Sequence, residues 1–269
     1  MTDIISKCIA GSGIELWGCC EYTPELLLNG SRSVNRLPDG ASSVIVCAFP
    51  WFAGIPTKRN VSLYAIARDY HTIAGDMLKS AAKILEQNFQ QNSFVPFIDA
   101  SPIDEVKAGC LSGIGVLGLN FQLITEKYGS MVFIGEIVTN LKLPFAKHEE
   151  KNCEGCMACI NACPTGALGK NGLNRPLCRS FITQKKGGLT EWEAEQVAKG
   201  GLIWGCDICT LSCPHNNGLS KSNIGGFTEN LVPVIASEDI DMLLTLHSYG
   251  WRGREVLERN LNILLEKTT

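Results

Sequence analysis

Apolar residues in this chain form short unbroken runs as well as longer stretches with helical spacing. Ser43–Phe49 is a short apolar run, which is typical of a buried strand. Phe94–Asp99 and Met131–Val138 have the same character, and the first of these ends at a carboxylate. Together with the helical patterns between them, these runs predict a mixed α/β unit over residues 1–145.

Helical spacing is clearest over residues 62–88, where apolar side chains recur at three- and four-residue steps behind a candidate N-cap, Ser62. Ser101–Asp104 predicts the start of another helix. It combines a hydroxyl cap, a proline in the first turn and an acid three residues after the cap.

Two further helical regions are predicted later in the chain. Thr190–Glu193 has the composition of a capping box that opens a helix to about residue 198. The tail from about residue 235 predicts two helices, the first capped by Ser237 and the second within residues 251–266.

Eight of the thirteen cysteines follow a spacing that indicates iron–sulfur clusters. The first run, Cys153–Pro164, has the C-x2-C-x2-C-x3-C-P spacing of bacterial two-cluster proteins. The second run, Cys206–Pro214, lacks the first cysteine of that motif, because Ile203 stands there. Cys178 lies upstream and is available to fill the missing position.

The motif predicts two crossed sets of ligands, because the fourth cysteine of each run binds the cluster of the other run. The first [4Fe-4S] cluster is predicted to be held by Cys153, Cys156, Cys159 and Cys213. The second is predicted to be held by Cys178, Cys206, Cys209 and Cys163. Zinc and disulfide bonds are the alternatives. Zinc sites need no crossed C-x3-C-P, and disulfides imply an oxidising compartment.

Composition limits the classes of protein that fit. The 269 residues allow one large core with a small appended module, and the formal net charge of −3 gives no overall attraction to nucleic acid. A local basic patch around Lys185 and Lys186 stays open. We expect no secretory signal and no membrane-spanning segment, so the expected location is a reducing cytoplasm.

One glycine motif and five cysteines lie outside the cluster pattern. Gly113, Gly115 and Gly118 match G-x-G-x-x-G, but a helix is predicted before them where a dinucleotide-binding motif needs a strand. These glycines are instead expected to make a turn or to let the backbone approach a bulky group. Five cysteines have no ligand spacing: Cys8, Cys19, Cys20, Cys47 and Cys110. Among these, Cys47 is expected in the core.

Several ordered segments resemble the epoxyqueuosine reductases, a family related to the reductive dehalogenases. Tyr64–His71 (YAIARDYH) resembles their Y-A-x-G-x-D-Y-H, and Phe97–Ala108 (FIDASPIDEVKA) resembles their V-D-T/S-x-P-V-L-E-x-x-x-A. Gly129–Leu141 (GSMVFIGEIVTNL) resembles their G-S-x-F-F-L-G-E-I-x-T-x-L. The segments around the cluster cysteines continue the match in order, so the resemblance covers roughly residues 40–216.

The resemblance implies an α+β fold in three parts. These are a nitroreductase-like corrinoid-binding domain over 1–145, a two-cluster bacterial-ferredoxin-like domain over 146–216 and a short helical tail over 217–269. It implies a cobalamin-dependent reductase that passes electrons through the clusters to cobalt, with Asp99 as the proton donor. The implied cofactor-binding residues are Asp69, Tyr70, His71, Gly113, Gly115, Gly118, Gly135 and Glu136.

Departures from the family weigh against tRNA as the substrate and leave room for a smaller one. The chain stops after about one helix pair of the family's C-terminal repeat region, and Gly115–Asn120 lacks the family's aromatic residue and lysine.

Two other functions stay open: an electron-transfer or corrinoid-reducing partner without its own substrate, and a flavin-dependent reductase. The expected electron donor is of the ferredoxin or flavodoxin type, and the oligomeric state is left open.

Overall fold

A computed structural model describes residues 1–266 as two compact units. The first unit consists of residues 1–50 and 71–155, and the second consists of residues 51–70 with the chain from Cys156 onward. Residues 51–70 therefore fold with the later half of the chain, which boundaries drawn along the sequence did not anticipate. The three predicted domains stay a prediction.

The first unit is built on a four-stranded antiparallel sheet with the order β1-β2-β6-β3. Its strands, with a separate two-stranded ribbon, are β1 (Leu16–Glu21), β2 (Ser43–Pro50), β3 (Phe94–Ile98), β4 (Val116–Leu117), β5 (Leu123–Ile124) and β6 (Val132–Thr139). Its helices are α1 (Thr2–Gly11), α2 (Tyr70–Asn88) and α3 (Glu105–Leu111). The three apolar runs expected to form strands are β2, β3 and β6 to within one residue, whereas β1 was not predicted.

Both faces of the sheet are covered, which is why its strands are apolar along their length. Every residue of β2 is buried. On one face, Val46 and Val138 share an apolar cluster with Ala108 and Cys110 of α3. On the other face, α2 comes close enough that a β-carbon on Gly135 of β6 would lie 2.6 Å from Leu78 Cδ1.

The predicted helix over residues 62–88 is wrong in its first turns, because α2 begins only at Tyr70. Backbone groups in the preceding segment bond to distant residues: Ile66 O accepts from Val232 N–H at 3.0 Å, and Asp69 N–H donates to Leu246 O at 2.9 Å. These bonds use groups that a continuing helix would need internally. Leu63–Ala65 form a single 3₁₀ turn, and the Ser62 side chain makes no capping bond.

The second expected helix is present but starts later than the hydroxyl cap suggests. Asp104 is the N-cap of α3, and its carboxylate accepts from Lys107 N–H at 3.0 Å. The Ser101 hydroxyl accepts from Ile103 N–H instead, so it organises the turn before the helix.

The second unit is mostly helical. Its elements are α4 (Ala158–Ala162), β7 (Leu168–Gly169), β8 (Gly172–Leu173), α5 (Arg179–Thr183), α6 (Glu191–Gly200), α7 (Ile208–Leu211), α8 (Gly225–Thr228), α9 (Ile240–Leu243) and α10 (Arg254–Glu266). The capping box of α6 is confirmed, because the Thr190 hydroxyl accepts from Glu193 N–H and the Glu193 carboxylate accepts from Thr190 N–H. The first tail helix is short, and Ser237 does not cap it.

Within residues 1–266, none of the helices has the length and apolar character needed to cross a membrane.

Candidate functional site

The two cysteine runs fold into short loops that each lead into a one-turn helix. Gly155 and Met157, on either side of Cys156, adopt left-handed backbone conformations with φ of 73° and 65°, which curl the chain just before α4. α4 packs against α7, the corresponding helix of the second run. Each run then leaves the helix at Cys163 or Cys213, where the following proline cannot continue it. The loops therefore have the local form that three closely spaced cluster ligands require.

The structure brings the four predicted ligands of the second cluster together. Burial, followed by the neighbouring thiols of Cys206 and Cys178, raises the pKa of Cys209 to about 12, and Cys163 adds to the same effect. The thiols of Cys206, Cys178 and Cys163 are therefore near Cys209, and the ligand set of the second cluster stays a prediction. Cys110, the alternative eighth ligand, is buried in the sheet core of the first unit and is not part of this group.

The surroundings of Cys163 lower the pKa of its thiol. Burial alone would raise the pKa of its thiol, but backbone hydrogen bonds from Leu168, Thr165 and Ala167 outweigh burial and lower it. A thiolate is the form that binds iron, so this loop favours the ligand state before a cluster is present.

For the first cluster, the structure places Cys156 and Cys159 in one loop and Cys213 just after α7, which packs on α4. Cys153 precedes Cys156 by three residues. No three His, Cys, Asp or Glu side chains among the described residues form a group suited to a single metal ion. The two ligand sets stay predictions.

A buried ion pair holds the second cysteine run within its unit. Arg59 Nη1 lies 2.5 Å from Asp207 Oδ2, and Leu63 N–H donates to both oxygens of Asp207 at 3.0 and 3.1 Å. Burial raises the pKa of Asp207, and Arg59 partly offsets that effect. Since Asp207 follows Cys206 directly, these bonds position the start of the loop.

Asp99 lies at the end of β3, as the sequence indicated, and is paired with His71. His71 Nε2 lies 3.3 Å from Asp99 Oδ2, and the two side chains are 39% and 63% exposed. Asp99 has a left-handed backbone, with φ of 58°, which is uncommon for a residue other than glycine. The turn thus presents an imidazole and a carboxyl together at the surface of the first unit.

Glu136 is inside the sheet rather than at its surface. It is 0% exposed, and its Oε1 accepts a hydrogen bond from the Ser101 hydroxyl. Burial raises the pKa of Glu136 to about 8, and the bond from Ser101 opposes that shift. A contact between Glu136 and a bound cofactor stays a prediction.

The remaining candidate cofactor residues occupy different settings. Asp69 stands just before α2 and Tyr70 is its first residue, so the expectation that they lie within a helix is corrected. They stay predicted cofactor contacts. Added β-carbons on the four glycines would meet atoms of the protein itself: the His148 ring for Gly113, Ile124 O for Gly115, Asn120 Oδ1 for Gly118 and Leu78 for Gly135. Packing within the unit accounts for the lack of a side chain at these positions, and their part in cofactor binding stays a prediction.

Sequence analysis missed two polar residues near Asp99, namely Ser101 as a partner of Glu136 and Glu105 as a half-buried acid. Ser101 was interpreted only as a helix cap, and Glu105 was given no role. The available signal was Glu136 itself, because a carboxylate within an apolar strand needs a polar neighbour.

Two family models match this chain. Residues 32–100 match the model described as Epoxyqueuosine reductase QueG, DUF1730. Residues 152–216 match the 4Fe-4S double cluster binding domain, so the prediction of a two-cluster domain is confirmed.

Curated relatives support the same family. The epoxyqueuosine reductase of Bacillus cereus is 31% identical over 253 residues, which are 90% of this chain and 66% of that protein. The enzyme of Escherichia coli is 32% identical over 205 residues, 74% of this chain and 52% of that protein. The chain therefore spans 66% of the length of the Bacillus cereus relative and 52% of the length of the Escherichia coli relative.

Solved structures share the fold. An epoxyqueuosine reductase with a tRNA-Tyr stem loop carrying epoxyqueuosine aligns with a TM-score of 0.84 at 22% identity, over 98% of this chain and 80% of that chain. The Bacillus subtilis enzyme with its catalytic aspartate loop swung out of the active site aligns with a TM-score of 0.83 at 21% identity, over the same shares. A B12-dependent reductive dehalogenase aligns with a TM-score of 0.52 at 15% identity, over 98% of this chain and 35% of that chain.

These likenesses confirm the predicted combination of a mixed helix-and-strand fold with a two-cluster domain. The family model on residues 32–100 and the curated relatives show that the chain belongs to the epoxyqueuosine reductase family.

Proposed function

We propose that the chain is a corrinoid-dependent iron–sulfur reductase that removes the oxygen of an epoxide. The net reaction takes two electrons and two protons, breaks both carbon–oxygen bonds of the epoxide and releases water, which leaves an alkene. Two [4Fe-4S] clusters deliver the electrons one at a time. A bound corrinoid would supply the low-valent cobalt chemistry that this reduction needs.

The observation that carries the proposal is the Asp99 turn. Its carboxyl is held at the end of β3 beside His71, exposed and free to meet a ligand. A carboxylic acid placed against a substrate can serve as a general acid. Asp99 then gives its proton to the departing epoxide oxygen, and His71 stabilises the carboxylate left behind.

Substrate, electron donor and location are parts of the same proposal. The relative bound to a tRNA stem loop supports epoxyqueuosine in tRNA as the substrate. A smaller epoxide is the competing choice of substrate. We expect a ferredoxin or flavodoxin to supply the electrons, and a reducing cytoplasm suits the thiolate ligands.

The first experiment counts metals on anaerobically purified chain after incubation with cobalamin and desalting. We expect about eight irons and one cobalt per chain. Eight irons with no cobalt would contradict the corrinoid part and turn attention to flavin. Turnover of epoxyqueuosine tRNA to queuosine tRNA, with a chemical reductant, then tests the substrate.

Replacing Asp99 by Asn tests the proton donor. Asp99→Asn should keep its iron and cobalt and lose turnover by about 10²-fold or more, the usual contribution of a general acid. Asp76→Asn is the matched control, because Asp76 is an exposed acid on α2 that pairs only with Lys79 among the ion pairs described. Full turnover in Asp99→Asn would remove Asp99 from the mechanism.

A further inference from the structure

Arg179 is a buried cation that lacks a carboxylate partner. It is 6% exposed. Within residues 1–266 its guanidinium forms a single hydrogen bond, from Nη2 to the neutral side chain of Gln196 at 3.2 Å, and its Nε is buried without any partner. Arginine is rarely buried to this extent unless it is paired, because an uncompensated charge in the interior is costly. Packing alone therefore does not account for Arg179.

Acids in the surrounding segments are paired with other cations. These pairs are Arg59–Asp207, Lys185–Glu193 and Lys199–Glu195. The last turn of α6 offsets part of the charge of Arg179, since an added β-carbon on Gly200 would lie 3.2 Å from Arg179 Nε. The carboxyl end of a helix carries about half a negative charge, so more than one further negative group is not needed, but part of the positive charge stays unbalanced.

Arg179 is adjacent to both segments that supply most ligands of the proposed second cluster. It is the first residue of α5, and Cys178 is the N-cap of this helix. At the other end of α5, the Thr183 hydroxyl accepts from Gly205 N–H at 2.9 Å, which holds the residue before Cys206 against the helix. Burial raises the pKa of the Cys206 thiol, and the charge of Arg179 is one of the effects that oppose this shift.

We propose that the second [4Fe-4S] cluster is the counter-ion of Arg179 and that Arg179 raises the reduction potential of this cluster. Four thiolates around a [4Fe-4S] core give a net negative charge, and reduction by one electron makes that charge more negative. A buried cation beside the cluster therefore stabilises the reduced form more than the oxidised form. The inference rests on the proposed second cluster and is independent of the corrinoid and the substrate.

A redox titration followed by EPR, on anaerobically purified and cluster-loaded chain without corrinoid or substrate, tests the proposal. Wild type should show two one-electron steps. The step that is missing in Cys178→Ala belongs to the second cluster. In Arg179→Gln this step should move to lower potential by at least about tenfold in the reduction equilibrium, which is about 59 mV for one electron. The step of the first cluster should stay in place.

Two further variants separate the charge of Arg179 from its shape. Arg179→Lys keeps the charge and should keep both steps within about threefold of wild type, as well as the full iron content. Arg175→Gln is the matched control, because Arg175 is an exposed arginine three residues before Cys178 whose guanidinium lies over the Phe181 ring. Solvent screens its charge, so both steps should be unchanged.

An unchanged second step in Arg179→Gln would overturn the proposal. If Arg179→Gln instead loses about half of its iron, Arg179→Lys decides the question. Full iron in Arg179→Lys supports the counter-ion role, whereas an equal loss in both variants overturns it. The titration needs no turnover, so an inactive wild type with the expected shift refutes the proposed epoxide reduction and leaves the role of Arg179 standing. An active wild type without the shift does the reverse.

Discussion

Replacing Glu136 by Gln should change how the stability of the protein depends on pH. The amide keeps the size of the side chain and an acceptor for Ser101, but it cannot ionise. In wild type, burial raises the pKa of Glu136 from 4.5 to about 8 in the folded state. The folded chain therefore holds a proton that the unfolded chain releases between those values. The stabilising contribution is complete below pH 4.5 and is lost as the pH rises toward 8.

The size of the effect follows from the two pKa values. At about 1.4 kcal/mol per pH unit, the change from 4.5 to about 8 corresponds to about 5 kcal/mol over the whole range. Between pH 6 and pH 8, the free energy of unfolding of wild type should fall by about 2 kcal/mol because of Glu136.

Anaerobic urea unfolding of cluster-loaded wild type and Glu136→Gln at pH 6 and pH 8 measures this loss. The loss of unfolding free energy from pH 6 to pH 8 is compared between the two proteins, so that clusters and other titrating groups cancel. Wild type should lose about 2 kcal/mol more than the variant. Equal losses would show that Glu136 is already ionised in the folded chain at pH 6, and the argument from its burial would fail.

Other predictions concern the cluster ligands and the packing of the sheet. Cys178→Ala should lose about half the iron, because one four-iron cluster loses a thiolate, whereas Cys110→Ala should keep it; unchanged iron in Cys178→Ala would assign the eighth ligand elsewhere. Gly135→Ala should lower the free energy of unfolding by about 1–3 kcal/mol, because the new β-carbon would lie 2.6 Å from Leu78 Cδ1. Gly11→Ala, with open space around its β-carbon, should be neutral or slightly stabilising in the same urea titration, and similar stabilities for the two variants would contradict the packing argument.

Short-range features of this protein were predictable from its sequence. The spacing of Cys153–Pro164 and Cys206–Pro214 predicts cluster-binding loops because ligands two or three residues apart are confined by the covalent chain. The central strands follow from unbroken apolar runs, and the α6 capping box follows from Thr190 and Glu193. Each of these depends on neighbours within about one turn of chain.

Longer-range features needed the tertiary structure. α2 begins at Tyr70 because Ile66 and Asp69 bond to the distant residues Val232 and Leu246, which no helical periodicity reveals. Only the tertiary structure shows which atoms pack closely against Gly113, Gly115, Gly118 and Gly135.

The site around Asp99 also combines features visible in the sequence with features that depend on tertiary contacts. Its position at a strand end and its acidity were visible in the sequence, but its partners lie far along the chain: His71 is 28 residues away, and the Ser101–Glu136 bond spans 35 residues. The register of β3 on β6, which pairs Phe97 with Glu136, decides which of these polar groups meet. The sequence by itself determined which chemical groups are present and how adjacent residues fold. Only the packed sheet decided which of them share a low-dielectric interior, and that environment sets their protonation.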